Sequence, residues 1–216
     1  MSMPNKPVHI SADISSFYTG NLQAHGDSPK GVGWKNDEAQ EIRFAQLLRV
    51  IDKKSGFSIN DLGCGTGRLY TYLVSEGYTP KLYHGYDILE EMIAASKERL
   101  PNDGGIQLTR VDSAKEMHIL DYSVASGIFN VKYDAPEYEW LNYVLSTIEH
   151  MNINSNRGFA FNLLTKYSDS EYMQSYLYYA DPLFLFDYCK RNFSRNVALL
   201  HDYDQYDFTI IVRKKI

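Results

Sequence analysis

Cysteine is scarce in this 216-residue chain: Cys64 and Cys189 are the only two. A disulfide framework and a multi-cysteine metal cluster are both excluded. No apolar run approaches the length that crosses a bilayer. The first residues, Met1-Ser-Met-Pro-Asn-Lys-Pro7, lack the apolar centre of an export leader, so a cytoplasmic setting is expected. Positive charge is in deficit, with Lys+Arg 22 against Asp+Glu 27 and a net charge of −5. The one compact basic cluster, Arg213-Lys214-Lys215, is accounted for by a solvated terminus. Nucleic acid is therefore a disfavoured partner, because its binders present a basic face. Clustered carboxylates and imidazoles of the kind that hold a metal are missing as well, and none is expected.

What is present is a glycine-rich turn between a strand and a helix: Ile59-Asn60-Asp61-Leu62-Gly63-Cys64-Gly65-Thr66-Gly67. Leu69, Tyr70, Leu73 and Val74 follow at helical spacing. The glycines allow a tight turn whose amides approach a ligand. Asp61 sets a carboxylate at the strand's carboxyl end, the edge where open α/β sheets bind ligands. A phosphate cradle wants no such charge, whereas a cationic or amine-bearing ligand does. The dinucleotide fingerprint asks for Gly or Ala where Arg68 stands, and no Gly-Lys-Ser/Thr follows.

Along the chain, Ile14, Phe17 and Tyr18 suit a short helix, and residues 21–34 read as a turn-rich loop. That loop is either a lid with His25 and Trp34 turned inward or a surface loop anchored by Trp34. Asn36 or Asp37 caps a helix carrying Phe44, Leu47, Leu48 and Ile51, expected to end near Lys54-Ser55-Gly56. Lys81–Asp87 is a second strand. Its terminal Asp87 lies at the distance of the ribose-binding acid in a nucleotide-binding βαβ unit, with a helix N-cap as the plainer role. A helix over Ile88–Leu100 buries Ile88, Met92 and Ala95. Strand three, Ile106–Val111, ends at Asp112-Ser113; strand four, Asp121–Ser126, runs into Gly127-Ile128-Phe129-Asn130. A helix from Pro136 precedes a buried fifth strand, Arg157–Leu164. Tyrosines 167, 172, 176, 178 and 179 then make either an aromatic wall of an acceptor pocket or a satellite cluster. Asp181-Pro182 opens a helix, and Val197–His201 and Phe208–Val212 close the chain as a hairpin.

The string Asp61-Leu-Gly-Cys-Gly-Thr-Gly67 resembles the first motif of class I AdoMet-dependent methyltransferases. The segments His25–Trp34, Ala125–Asn130 and His201-Asp-Tyr203 are similar to a group of bacterial members. The resemblance implies an α/β three-layer sandwich: a mostly parallel seven-stranded sheet of order 3-2-1-4-5-7-6, strand 7 antiparallel, with helices on both faces. It implies one domain, with 1–36 as an N-terminal cap and 37–216 as the core. It also implies S-adenosyl-L-methionine (AdoMet) as cofactor, held by Asp61, Gly63, Cys64, Gly65, Gly67, Asp87, Ile88, Asp112, Ser113 and Ser126. Asp112 would sit beside the adenine.

The Asn/Asp-Pro-Pro-aromatic sequence of amino-methylating nucleic-acid enzymes is replaced here by Ser126-Gly-Ile-Phe-Asn130. Nucleobase methylation is therefore disfavoured, and an acidic, tyrosine-rich single domain without a recognition appendage is expected to take a small molecule or a sugar- or lipid-linked group, methylated on O or N. Trp34, Phe129, Asn130, Tyr178 and Tyr179 are the candidate acceptor contacts, and Phe129 also suits a cation–π role. His25 and His201 are the candidate general bases, since imidazole titrates near neutrality. An NAD-binding oxidoreductase and a non-catalytic methyltransferase-like subunit are the alternatives.

Overall fold

The computed structural model describes residues 12–26, 28, 31 and 36–214. Seven strands form one sheet: β1 (Ser58–Leu62), β2 (Leu82–Asp87), β3 (Ile106–Arg110), β4 (Leu120–Ala125), β5 (Ser155–Leu164), β6 (Asn196–Leu200) and β7 (Asp207–Arg213). Their order is β3-β2-β1-β4-β5-β7-β6. The first five run parallel, and β7 is antiparallel to both neighbours, β5 and β6. This is the sheet that the family resemblance implied.

Side-chain alternation builds a core on each face. Phe159, Phe161 and Leu163 of β5 join Phe208, Ile210 and Val212 of β7 on one face. Helices α5 (Glu137–Ile153) and α6 (Pro182–Asn192) cover it with Trp140, Val144, Ile148 and Leu185. The other face takes Ala160, Ile211, Ile59 and Val124. Phe44 and Leu47 of α2 (Asp37–Leu48) and Leu69 and Leu73 of α3 (Arg68–Ser75) pack there. Every residue of β1 is buried, as a central parallel strand requires, while edge strand β3 is half exposed.

The helix ends follow local chemistry. Asn36 caps α2, its Oδ1 accepting from the Ala39 amide at 2.9 Å. Asp181 caps α6, with Pro182 where no amide is needed. α2 stops at Leu48, short of the expected Lys54–Gly56. The amides of Arg49, Val50 and Ile51 bond to carbonyls three residues back, tightening the last turn and sending Val50 and Ile51 into the core. α4 (Glu90–Arg99) buries Met92, Ile93 and Ser96, a face rotated from the expected one. The Ser96 hydroxyl donates to the Gly65 carbonyl at 2.8 Å, which gives a polar residue a reason to face inward. Between β3 and β4 the chain makes only a 3-10 turn, Ala114–Glu116.

The N-terminal helix α1 (Ala12–His25) extends five residues, Asn21 to His25, into the stretch read as loop, and meets the core through Ile14, Phe17 and Tyr18. Among the described residues, no helix is long and apolar enough to cross a membrane.

Candidate functional site

Parallel strands present their carboxyl ends on one rim, and a cavity of about 540 Å³ lies against it. Asp61 on β1 reaches it through a buried wall. Its Oδ2 accepts from the Tyr83 hydroxyl at 2.6 Å. Burial pushes its carboxyl up to about 7; the Tyr83 hydrogen bond opposes the rise, and the Asp87 charge adds to it.

The glycine turn follows. Gly63 has φ +75°, and a Cβ on it would lie 2.1 Å from Ile128 Cγ2, so the turn nests against the residues leaving β4. Gly63→Ala is therefore expected to suffer both backbone strain and overlap, costing about 1–3 kcal/mol. Thermal unfolding checks this, at about 2–4 °C of Tm per kcal/mol. Pairing it with Ile128→Ala should recover the steric share alone. An unchanged Tm for the single variant would dismiss the tight nesting.

Asp87 ends β2 and ties the turn down: its Oδ2 accepts from the Gly65 amide and its Oδ1 from the Leu89 amide, each at 3.0 Å. Burial raises its pKa while those amides hold it back. Asp112 stands at the rim, exposed and ion-paired with Arg110. The neighbouring amides of Asp112 and Ser113 both donate to Glu116 Oε1, at 2.9 and 3.0 Å, so they are already engaged. Cys64, Ile88, Ser113 and Ser126 also line the cavity. Of the residues assigned to the cofactor from sequence, Gly67 alone does not. It ends the turn at φ +79° as the N-cap of α3.

Of the residues assigned to the acceptor or the base from sequence, none of those described lines the cavity. Phe129 is fully buried in the core, its ring against Tyr143 and Phe161 and its carbonyl accepting from Trp140 Nε1 at 2.8 Å. Asn130 is a brace: its Oδ1 accepts from the Leu164 amide and its carbonyl from the Tyr178 amide. Tyr178 is buried in the same core, and the Tyr179 hydroxyl accepts from the Gln174 amide. None of the five late tyrosines lines the cavity; Tyr167 and Tyr172 are exposed rings on the surface. His25 is exposed at the end of α1. His201, also exposed, follows edge strand β6 and packs near Tyr167 and Phe208. Trp34 lies outside the described residues.

In their place the cavity gathers side chains that sequence reasoning missed. Tyr18 comes from α1, Gln40 from α2 and Arg68 from α3. Asn142, Ser146 and His150, with Tyr143 and Thr147, form a stripe on α5. Their i, i+4 spacing beside the apolar stripe Val144, Ile148, Met151 was the available signal. Burial pushes the Tyr143 phenol up to about 12 and raises Tyr18 further, with the Asp87 charge adding to both. His150 Nδ1 sits 2.8 Å from the Ser146 carbonyl, which can only accept, so Nδ1 is the donor there and, in a neutral ring, Nε2 is the acceptor. Among the described residues, no group of three or more metal-ligating side chains occurs.

Comparison with known proteins bears on the family and the fold. The family described as "Methyltransferase domain" matches residues 60–129. Rv1506c of Mycobacterium tuberculosis (strain ATCC 25618 / H37Rv), whose name marks it as a candidate methyltransferase, is 47% identical over 167 residues. That match covers 77% of this chain and 99% of the relative. Among solved structures, magnesium protoporphyrin IX methyltransferase from Synechocystis PCC 6803 with bound SAH superimposes with a TM-score of 0.64. It is 17% identical, covering 93% of this chain and 97% of that one. Human N-acetylserotonin methyltransferase in complex with SAM gives 0.60 at 14% identity, covering 83% of this chain and 55% of that one. With the motif inside the matched segment, a relative this similar over nearly its whole length and the same sheet order, the chain belongs to the class I AdoMet-dependent methyltransferases.

Proposed function

We propose that the cavity beside the glycine turn is the AdoMet site, and that the enzyme methylates O or N of a small-molecule acceptor, which includes a sugar- or lipid-linked group. The observation that carries the reading is one continuous cavity that joins Asp61, Asp87 and Asp112 across the turn. Its volume falls in the range of small-ligand pockets. The residues fit the group. Thr66 Oγ1 is buried there without a hydrogen-bond partner, and Asp61 is a desolvated acid suited to a cation. AdoMet, when bound, supplies a methyl group on a positively charged sulfur.

In this reading Asp61 takes the ammonium of the methionyl end, Asp87 takes the ribose hydroxyls, and Asp112 with Ser113 flanks the adenine. Ser126 borders the cofactor beside β4. Walls of Tyr18, Tyr143 and α5 keep water out, and holding two reactants in line supplies up to about 7–11 kcal/mol in favourable cases. For a hydroxyl acceptor, His150 replaces His25 and His201 as the candidate base, since it lines the cavity with Nε2 able to accept a proton. A small acceptor suits an acidic chain with a net charge of −5.

Calorimetry against AdoMet and NAD, at several pH values, tests the cofactor assignment. AdoMet should bind with micromolar affinity on the order of the energies typical of such sites. Affinity should fall up to about tenfold per pH unit below 7, because Asp61 must be ionised to hold a cation and protonates in that window. It should fall again above about pH 8, where an α-amino group loses its proton. Tyr83→Phe removes the hydrogen bond that favours the charged carboxylate, so the acid limb alone should move to higher pH. A flat profile from pH 5.5 to 7.5 would detach Asp61 from the ammonium, and heat with NAD but not AdoMet would overturn the site.

A further inference from the structure

The amino-acid end of the cofactor carries two charges on one carbon, and Asp61 can take only the positive one. Three cationic or protonatable side chains line the cavity: Arg68, Lys115 and His150. Lys115 stands in the turn after β3, and His150 is on α5. Arg68 opens α3 directly after the glycine turn, on the stretch that begins at Asp61.

Its side chain crosses to α2. Nε donates to Gln40 Oε1 at 2.7 Å, and a terminal nitrogen is ion-paired with Asp37. Gln40 and Asp37 differ in kind. Gln40 is 4% exposed and lines the cavity with Arg68. Asp37 is 64% exposed in its side chain, against 17% for Arg68, and does not line the cavity. An ion pair with so exposed an acid is weak and easily exchanged. Gln40, by contrast, fixes the plane of the guanidinium from the buried side. Thr66 Oγ1, unpartnered and buried, lies two residues before Arg68 on the same wall.

We propose that Arg68, oriented by Gln40, is the clamp for the methionyl carboxylate, releasing Asp37 to accept it. The inference rests on the AdoMet reading of the cavity and adds a specificity-determining residue to it. A guanidinium fork matches a carboxylate with two parallel hydrogen bonds, which an ammonium does not do. Asp37 then acts as a competitor that occupies the fork until the cofactor arrives.

The test uses two probes on the full chain: S-adenosylhomocysteine, which carries the carboxylate, and 5′-methylthioadenosine, which keeps the nucleoside thioether and lacks the amino acid. Arg68→Gln should weaken S-adenosylhomocysteine by about 10- to 100-fold and leave methylthioadenosine unchanged. Arg68→Lys should restore part of the loss. Asp37→Asn should strengthen S-adenosylhomocysteine up to about fivefold, again without effect on methylthioadenosine. Equal losses for both probes, or no loss for either, would overturn the clamp while leaving the site in place. Wild-type protein that binds neither probe would overturn the site itself, and the clamp with it. Tm values within 2–3 °C of wild type, about 1 kcal/mol, confirm that each variant is folded.

Discussion

Asp87→Ala should abolish AdoMet binding: the saturable heat given by wild-type protein should vanish or shift by at least about 100-fold in Kd. Two effects add. The proposed ribose partner is lost, a charge-assisted interaction of about 1.5–3 kcal/mol. The turn also loses its tether, since the Gly65 and Leu89 amides both donate to this carboxylate. Left without an acceptor, the buried Leu89 amide costs a further ~1–3 kcal/mol unless the turn shifts to find one, and the part-buried Gly65 amide at the cavity costs less. Asp87→Asn separates the two. Its carbonyl oxygen can still serve one amide, so the turn is held in part and the loss should be intermediate. It also removes the negative charge that helps to raise Asp61, so the acid limb of binding should move to lower pH. A Kd for Asp87→Ala within threefold of wild type would remove this residue from the site.

The second large effect is on stability. Asp207, the first residue of β7, is fully buried, and Arg43 of α2 donates to its Oδ2 through Nε at 2.9 Å and through Nη2. Arg43 also bonds the Ala39 carbonyl through Nη1. Asp207→Ala should cost about 3–5 kcal/mol, because it leaves a guanidinium buried without its counter-charge. For a chain of this size that is a Tm loss of about 6–20 °C. Replacing both partners, as Arg43→Met with Asp207→Leu, should lose much less, since apolar residues of similar volume often match a buried pair. A single-variant cost under about 1 kcal/mol would mean that water reaches the pair.

Much of this arrangement was readable because it is local. The turn at Gly63–Gly67 and the acids at three successive strand ends are set by residues adjacent in the chain. The sheet order came from the family resemblance, not from spacing. What escaped depends on contacts between distant segments. The α5 stripe reads as a wet face, and only its packing beside the 3-10 turn makes it the wall of a cleft. Phe129 missed the cavity by one position: Ile128 lines it, and the next side chain is sealed in the core behind, against Tyr143 and Phe161. His201 is remote because β7 inserts between β5 and β6. The late tyrosines are held outside because their segment is tied to Asn130 and Lys132 by the amide of Tyr178 and the carbonyl of Tyr176, which fixes which rings face out.

The attachment of α1 carries a kinetic consequence. Tyr18 forms part of the cavity wall, yet among the described residues the helix is moored by Ile14, Phe17 and Tyr18, of which only Ile14 is buried. Releasing three such anchors costs on the order of 5 kcal/mol, at the low end of what unfolds a whole domain. Detachment of this helix would then occur as a sub-global opening while the sheet stays intact. On the reading proposed for the cavity, part of the nucleoside's wall is then carried by a helix that can leave without the sheet.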